Sequence, residues 1–534
     1  MEKQSPEAAR SKNQDKKKHT AVRLVVIVLL MTNLFTLLVA CVALVALARQ
    51  SALRMEADRI ARVPDAKAVE TRQHAERQRA DRIRDARAAV VPAQTAEENE
   101  PEPETIEGTV TKMAGLITDL RVAGGGKWVV LRMQASSDLA IYDTGEMKIV
   151  RTLRLGDSEF RFSAGGNVVL AYYPGTNLLE SWDIESGNKL KSRLNPKGVQ
   201  ITNITMGCSN DKKALIRYAT STEALGHVGL FFLNVDTLQE FAFENKELSP
   251  HNRNYRNIVH QRADSQMQTI SEWATSHSPS GLGLFRLSGD AWTFRYEHDT
   301  VGYIAVGDDG HLYTGNGGVY NQELTRIHSL KGVWPIPGIG GALFLGLSSD
   351  GQMQVYQAGA ATPIVSVGRF PGSLEAMGDL ARHRNSLSLD RHVVFAPERA
   401  YLLLVPPEHD RIVQRDFDLE KTVQDAGVEY LVFMSKPDRD ITPGQTWQYK
   451  LQAISSASGI TFMLESAPPE MVLGADNTIS WRVPFDQGPS ESVVIRVEDE
   501  SGQTAFQKIE LHNTRKAGSV PESRGTSKGV SISL

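Results

Sequence analysis

A hairpin unit repeats along this chain and limits what it can fold into. The unit is a hydrophobic strand that ends in Asp or Asn, two or three turn residues, and a second strand that begins with polar residues. It is clearest in three stretches: DLAIYDTGEMKIVRTLRL (Asp138 to Leu155), LLESWDIESGNKLKSRL (Leu178 to Leu194) and GLFFLNVDTLQEFAF (Gly229 to Phe243). Their spacing is close to the ~40–45 residue period of a four-stranded propeller blade.

The junction residues explain the repeat physically. An Asp after a strand accepts hydrogen bonds from the backbone of the turn that it opens, and a Gly in the turn supplies positive φ. We therefore expect Asp143 and Asp183, with Trp182 before the second, to be structural turn residues. Weaker copies follow at 308–318, 348–367 and 399–423.

The repeats predict a β-propeller over residues 109–424. Dividing this length by the repeat period predicts about seven blades, with six or eight also compatible. The string SWDIESGNKL resembles the WD40 and YVTN-type propellers, although it holds the one Trp-Asp pair of the region and no Gly-His precedes it at the usual distance. The resemblance implies a ring of four-stranded blades around a central channel.

Composition sets broader limits. A chain of 534 residues with 41% hydrophobic and 23% charged residues is globular and too long for one ordinary domain. Its formal net charge of −4 gives no basic field that would favour nucleic acid as a partner. Two cysteines, Cys41 and Cys208, exclude a disulfide framework and a cysteine-rich zinc site.

The N-terminal sequence predicts a membrane anchor. Residues 1–23 form a basic leader, and residues 24–48 are apolar and uncharged over a length that spans a hydrocarbon core of ~30 Å. The run is longer than the apolar region of a cleaved signal peptide, so a single transmembrane helix is expected. The basic leader favours a cytoplasmic N-terminus and a periplasmic or extracellular location for the rest. Alternatively, LVAC resembles a lipoprotein lipobox, which would make Cys41 an acylated lipid anchor.

Two connecting segments follow the anchor. Residues 49–94 are rich in Ala, Arg, Glu and Gln and predict a helical stalk, although Pro64 interrupts the pattern. Residues 95–108 change to Glu and Pro, a composition that buries no core and predicts a linker.

A second β pattern begins after the propeller. Residues 428–513 alternate apolar and polar positions through several short strands, as in a β-sandwich. Pro443 and Gly444, Tyr449, the stretch APPEMVLGADNTISW and the stretch VEDESGQTAFQKIEL resemble the putative-Ig, dystroglycan-type cadherin-like family. The resemblance implies an extracellular sandwich used in adhesion or as a spacer. The tail, residues 514–534, is rich in Ser, Gly and Lys and is expected to be disordered.

The cadherin-like resemblance also implies acidic calcium ligands at the ends of the sandwich. Asp438, Asp440 and Asp499 are the candidates for such a site, with solvated turn residues as the alternative. Calcium is the one cofactor that the sequence suggests. A further set, Asp308, Asp309 and Asn316, is interpreted mainly as turn-forming residues.

No catalytic motif stands out in the sequence. The thirteen histidines are scattered, with His383 and His392 nine residues apart, and no G-x-S-x-G, Walker A or HExxH pattern occurs. Trp334 and Tyr356 are assigned to core packing in preference to a binding face. The sequence thus predicts a membrane-anchored extracytoplasmic scaffold without catalytic activity that binds a protein, peptidic or glycan envelope ligand. The alternative is a quinoprotein-like or hydrolytic propeller enzyme.

Overall fold

The computed structural model describes residues 107–134, 136–157, 159–219, 228–241, 259–274, 280–288, 291–372, 387–488 and 490–513. The predicted leader, transmembrane helix, stalk and tail lie outside these residues, as do nearly all of the linker, Cys41 and His383. In the part of the chain that is described, no helix combines the length and the apolar composition needed to cross a membrane.

The chain is mainly β, and seven four-stranded antiparallel sheets are formed by the described residues between Thr109 and Asp416. The prediction of a β-propeller is confirmed by this arrangement. The first strand in the chain, β1 (Thr109–Lys112), belongs to blade 7, which is otherwise formed by the last strands of the propeller. Blades 1 to 3 then follow in chain order: β2 (Ile117–Ala123), β3 (Trp128–Met133), β4 (Asp138–Asp143) and β5 (Lys148–Arg154); β6 (Arg161–Gly165), β7 (Val168–Tyr173), β8 (Leu178–Asp183) and β9 (Lys189–Leu194); β10 (Gln200–Thr205), β11 (Lys213–Ala219), β12 (Val228–Asn234) and β13 (Gln239–Glu240).

Blades 4 to 7 continue the same order. They comprise β14 (Val259–Ala263), β15 (Thr269–Ala274), β16 (Leu282–Ser288) and β17 (Ala291–Glu297); β18 (Ile304–Val306), β19 (Leu312–Thr314), β20 (Gly318–Tyr320) and β21 (Arg326–Ser329); β22 (Val333–Pro337), β23 (Leu343–Ser348), β24 (Gln352–Gln357) and β25 (Pro363–Arg369); β26 (Val393–Ala396), β27 (Tyr401–Leu404) and β28 (Arg411–Asp416).

The ring is closed by the first strand of the chain. β1 pairs antiparallel with β28, with Thr109 opposite Gln414 and Lys112 opposite Arg411, and completes blade 7 as its outermost strand. Closure also uses side chains, because the Gln414 amide donates to the Thr144 carbonyl of blade 1 at 2.8 Å. The two ends of the propeller sequence therefore hold each other in place.

The first strand of blades 1 to 6 and β26 of blade 7 are innermost and line the channel. We name the two faces of the ring by their connections. The mouth face carries the segments that lead from the outermost strand of one blade to the innermost strand of the next. The docking face carries the turns between the first and second strands of the blades, such as the one between β18 and β19.

The turns of the repeated hairpins are held by hydrogen bonds that the Asp side chains accept. Asp143 Oδ1 accepts from the backbone N–H of Gly145 at 2.8 Å and of Glu146 at 3.0 Å. Asp183 Oδ1 accepts from the N–H of Ser186 at 2.6 Å, and its Oδ2 accepts from the Asn167 amide at 2.6 Å. These bonds satisfy backbone donors that no strand partner reaches.

A short helix links the propeller to the C-terminal domain. The helix α1 (Leu419–Asp425) is capped by Asp418, whose side chain accepts from the N–H of Lys421 at 3.1 Å. Leu419 and Val423 are buried among apolar residues of blades 6 and 7. The helix thus extends the propeller core toward the domain that follows.

Residues 431–513 form the C-terminal domain, in which two sheets face each other across one core. The four-stranded sheet has the order β30-β37-β36-β33, the three-stranded sheet has the order β31-β35-β34, and β29 pairs with β32. Its strands are β29 (Leu431–Phe433), β30 (Asp440–Ile441), β31 (Thr446–Lys450), β32 (Ala453–Ser455), β33 (Thr461–Ser466), β34 (Val472–Leu473), β35 (Thr478–Arg482), β36 (Ser490–Glu498) and β37 (Thr504–Asn513). Trp447, Tyr449 and Trp481 pack in the core against apolar residues of β36 and β37. Membership of the putative-Ig, cadherin-like family stays a prediction.

The hairpin bonds give the first testable prediction. Asp183→Ala removes the acceptors of the Ser186 N–H and the Asn167 amide and should lower the free energy of unfolding by on the order of 1 kcal/mol. Thermal unfolding of the full-length protein measures this, with Glu185→Ala as the control because Glu185 is exposed in the same turn. Equal melting temperatures for the two variants would contradict the assigned role.

Candidate functional site

The central channel is the cavity to which all seven blades contribute. It has a volume of about 190 Å³. Most of its lining is apolar, from inner-strand residues such as Val122, Ala164, Ile204 and Val306. The charged side chains of the lining are those of Arg121, Arg262, Asp390 and Arg391. The channel therefore combines an apolar wall with a concentrated set of ionic groups.

Two of these arginines share one carboxylate. Arg121 on β2 and Arg391, which immediately precedes His392 and β26, both donate from Nη1 to Asp119 Oδ1. Asp119 Oδ1 also accepts from the backbone N–H of Leu120 at 2.8 Å. Arg391 lies in the connection into blade 7, so this cluster sits toward the mouth face.

The third arginine crosses the channel. Arg262, on β14 of blade 4, donates from Nε to Asp390 Oδ2 at 2.5 Å and from Nη2 to Asp390 Oδ1 at 3.1 Å. Its Nη2 also donates to the Ser388 hydroxyl at 2.8 Å. This bidentate pair joins blade 4 to the segment before blade 7 and spans the ring.

The mouth cluster, defined here as Asp119, Arg121, Arg262, Asp390 and Arg391, carries an excess of positive charge. Three guanidinium groups face two carboxylates. Burial, together with the neighbouring Arg121 and Arg262, lowers the pKa of Arg391 well below its ordinary value. Burial alone would raise the pKa of Asp390, but Arg262 and Arg391 outweigh it and hold that pKa below its usual range.

Aromatic groups border the mouth cluster. The Arg262 guanidinium lies over the Trp273 ring, 5.1 Å from its centroid. The His260 ring stacks on the same Trp273 at 5.1 Å. Burial and then Arg262 lower the pKa of His260 to about 3, so this imidazole is neutral and adds no charge to the cluster.

On the docking face, Asp308 joins three blades. Its Oδ1 accepts from the Ser265 N–H of the blade 4 turn at 2.7 Å, and its Oδ2 accepts from the Gly340 N–H of the blade 6 turn at 3.0 Å. Lys436 of the C-terminal domain places its Nζ 3.8 Å from the same Oδ2. Blades 4, 5 and 6 and the C-terminal domain therefore meet at one carboxylate.

Arg439 anchors the C-terminal domain to this face. Its guanidinium lies directly over Gly310, where a Cβ would come within 1.8 Å of it, and Nη2 is 3.5 Å from the Asp308 carbonyl. Gly310 has φ +78, so both its backbone and its lack of a side chain are required. Four carboxylates act electrostatically on the half-buried Arg439: Asp309, Asp264, Asp440 and Asp308.

Further polar contacts extend this interface. Asp440 pairs with Arg286 of blade 4 at 3.6 Å and accepts from the Gln268 amide at 3.4 Å. Around them lies a cavity of about 550 Å³ that residues of both domains line. The C-terminal domain thus contacts blades 4 and 5 through paired charges.

The structure separates the three calcium candidates of the C-terminal domain. Asp440 lies opposite His512 near the end of β37, whereas Asp499 lies in the turn between β36 and β37, at the far end of the hairpin. Asp499 accepts from the Ser455 hydroxyl at 2.5 Å and from the Ser501 hydroxyl at 2.6 Å. Asp438 is exposed and accepts from the Asp440 N–H at 3.1 Å. Among the described residues, no group of three or more His, Cys, Asp or Glu side chains is arranged to hold a metal ion.

The remaining candidates have structural contacts. Asp309 accepts from the Tyr313 hydroxyl at 2.6 Å and pairs with His311 Nδ1 at 2.7 Å, and Asn316 Oδ1 accepts from the Gly318 N–H at 3.1 Å. Tyr356 is buried and stacks on Phe344, and Trp334 is packed against the core. Trp182 lies under the Lys189 ammonium at 4.9 Å.

Sequence reasoning missed both the mouth cluster and Arg439. A signal for the first was available, because the strand sequences ITDLRVA and VHQRA place charged residues in strands that begin and end with apolar residues. For the second, the triplet Asp438-Arg439-Asp440 was considered only for its two aspartates, as calcium ligands or turn residues. In the structure its central arginine faces the propeller.

The comparisons with known proteins give distant fold similarities. The β-propeller domain of Myceliophteria thermophila Cps50 (Swd1) is 10% identical, with a TM-score of 0.39 over 58% of this chain and 100% of that chain. A chain of the mitotic checkpoint complex is 11% identical, with a TM-score of 0.39 over 62% of this chain and 98% of that chain. No family model and no curated protein matches the sequence.

The docking face gives a pH-dependent prediction. Burial, with the adjacent Asp308, raises the pKa of Asp264 to about 6, although the N–H groups of Gln268 and Thr269 and the Arg439 charge act against the shift. Because the folded pKa lies above the unfolded value, the folded state binds the extra proton, and Asp264 costs stability as the pH rises from about 4 through 6. Lowering the pH from 7.5 to 5 should stabilise the wild type relative to Asp264→Asn by on the order of 1 kcal/mol.

Melting temperatures of the full-length proteins at the two pH values measure the difference. Glu470→Gln, which changes an exposed carboxylate of the C-terminal domain, is the matched control and should track the wild type at both values. A gap between wild type and Asp264→Asn that is the same at pH 5 and pH 7.5 would contradict the assignment.

Proposed function

We propose that this chain is a protein-binding scaffold whose propeller receives its partner on the mouth face. One observation carries the proposal: the chain's own C-terminal domain contacts blades 4 and 5 on the docking face through Arg439, Lys436 and Asp440. The opposite face is where the charged channel mouth and the connections between blades lie. Loops from several blades converge there, as binding surfaces on rigid scaffolds usually do.

The setting of the scaffold is proposed from the sequence alone. The basic leader 1–23 and the apolar run 24–48 support a single membrane anchor with the N-terminus in the cytoplasm, which would put the propeller in the periplasm or outside the cell. The stalk 49–94 and the linker 95–108 would then hold the propeller away from the membrane. The C-terminal domain would act as an adhesion or spacer module in the same compartment.

One experiment tests both the face and the setting. A photocrosslinking amino acid replaces Thr300, an exposed residue in the connection from blade 4 to blade 5 on the mouth face, in the full-length protein expressed in intact cells. The control variant carries the same group at Lys191, which is exposed on the outermost strand of blade 2. The cells are then converted to spheroplasts, which opens any outer envelope, and a membrane-impermeant protease is added.

We expect a discrete crosslinked protein from position 300 and a weaker one or none from position 191. The crosslinked species should be digested by protease outside the cells. Equal crosslinking from both positions would contradict the mouth-face assignment, and protection of the propeller from the protease would reverse the proposed topology. Turnover of a substrate by the purified chain would favour the propeller enzyme instead.

A further inference from the structure

Within the part of the chain that the structure describes, the hydrogen bonds of the mouth cluster use only some of its guanidinium donors. Among the described residues, Arg121 donates from Nη1 to Asp119 and to the Leu120 carbonyl, and Arg391 donates from Nη1 to Asp119. The Nε and Nη2 groups of both arginines have no hydrogen-bond partner within the described part of the chain, although the Arg121 guanidinium also lies 5.3 Å from the centroid of the Phe162 ring. The side chains of Arg121 and Arg391 are 16% and 20% exposed, and both residues line the channel cavity.

Two guanidinium groups therefore converge on one carboxylate oxygen and present their remaining donors beside it. A guanidinium offers paired N–H groups whose geometry matches the two oxygens of a carboxylate. The surrounding wall is apolar, and a charge–charge contact there is screened less than at an open surface. The two guanidinium groups therefore line the same cavity with donors that a second carboxylate next to Asp119 can use.

Charge decides the kind of anion. The mouth cluster has three guanidinium groups and two carboxylates, and the neutral His260 adds nothing, so the surplus is one positive charge. One more carboxylate would neutralise the cluster, whereas a phosphate dianion would leave it negative. An uncompensated charge at a partly buried site is unfavourable, and a single carboxylate removes that cost.

We propose that the channel mouth is a binding site for a single carboxylate group, held between Arg121 and Arg391. The carboxylate belongs either to an acidic side chain of the protein partner or to a free carboxylic acid. Arg262 stays paired with Asp390 and positions the segment that carries Arg391. The site deepens the proposed function, because it supplies the contact by which the mouth face would select an acidic partner segment.

The test uses the full-length protein and two small probes at constant ionic strength. The probes are acetate and the peptide N-acetyl-Ala-Glu-Ala-amide, with N-acetyl-Ala-Gln-Ala-amide as the uncharged match. Saturation-transfer NMR measures binding to each. Tryptophan fluorescence, compared between wild type and Trp273→Phe, reports whether the probe arrives near Arg262.

Four variants separate a binding role from a structural one. Arg121→Gln and Arg391→Gln should each weaken carboxylate binding by about tenfold or more, because each removes a charge-assisted contact. Asp119→Asn should strengthen it several-fold, because it removes the competing carboxylate from the same two guanidinium groups. Arg326→Gln, an exposed arginine on the outermost strand of blade 5, should leave it unchanged.

The outcomes test the proposed site and identify the source of the carboxylate. Binding of the Glu peptide but not the Gln peptide assigns the carboxylate to a partner side chain, and binding of acetate alone assigns it to a free acid. Absence of binding by both, or a folded Arg391→Gln variant with wild-type affinity, overturns the site. If crosslinking from position 300 persists while neither probe binds, the anion site is wrong and the proposed scaffold function stands.

Discussion

The carboxylate of Asp308 accepts hydrogen bonds from the blade 4 turn and the blade 6 turn, and the guanidinium of Arg439 lies over the adjacent Gly310. The remaining architecture depends on this junction of charges. A ring of blades needs its inner turns fixed relative to one another, and Asp308 does this for three consecutive blades. Asp308 Oδ2 also attracts Lys436, and the main-chain carbonyl of Asp308 accepts from Arg439, so the residue that orders the ring also contacts the C-terminal domain. Because the Asp308 side chain is only 8% exposed, loss of its partners leaves a largely buried carboxylate uncompensated, which costs more than loss of a surface ion pair.

The two faces of the propeller differ in the sign of their excess charge. The docking face combines acidic turn residues, Asp264, Asp308 and Asp309, with basic residues delivered by the C-terminal domain. The mouth face has the opposite balance, with Arg121, Arg262 and Arg391 exceeding Asp119 and Asp390. Ring closure by β1 ensures that blade 1 and the segment before blade 7 are neighbours, which is the condition for Arg391 to reach Asp119. The docking face is therefore contacted by the chain's own C-terminal domain, whereas the mouth face keeps an excess of positive charge.

The sequence predicted those features whose physical cause is local. The hairpins around Asp143 and Asp183 could be predicted because a strand, a turn-opening Asp and a Gly are adjacent in the chain. The recurrence of this hairpin along the sequence then implied the propeller. The mouth cluster could not be predicted in this way, because Asp119 and Arg391 are 272 positions apart in the sequence and meet only after the ring closes. The positions of the acidic residues of the C-terminal domain could not be predicted from the sequence for the same reason. Asp440 and Asp499 lie near the ends of strands, yet the hairpin of β36 and β37 places them at opposite ends, with Asp440 turned toward Arg286.

Hydrogen–deuterium exchange at the docking face tests the account most directly. In the full-length protein, the amides of Ser265 and Gly340 donate to Asp308 beneath the C-terminal domain and should exchange slowly. Arg439→Gln removes the guanidinium that lies over Gly310 and contacts the Asp308 carbonyl, so exchange at both amides should rise by about tenfold or more as the domain loosens. Arg482→Gln, an exposed arginine on β35, should leave the exchange rates unchanged. Wild-type exchange at Ser265 and Gly340 in the Arg439→Gln variant would contradict the claim that this contact closes the docking face.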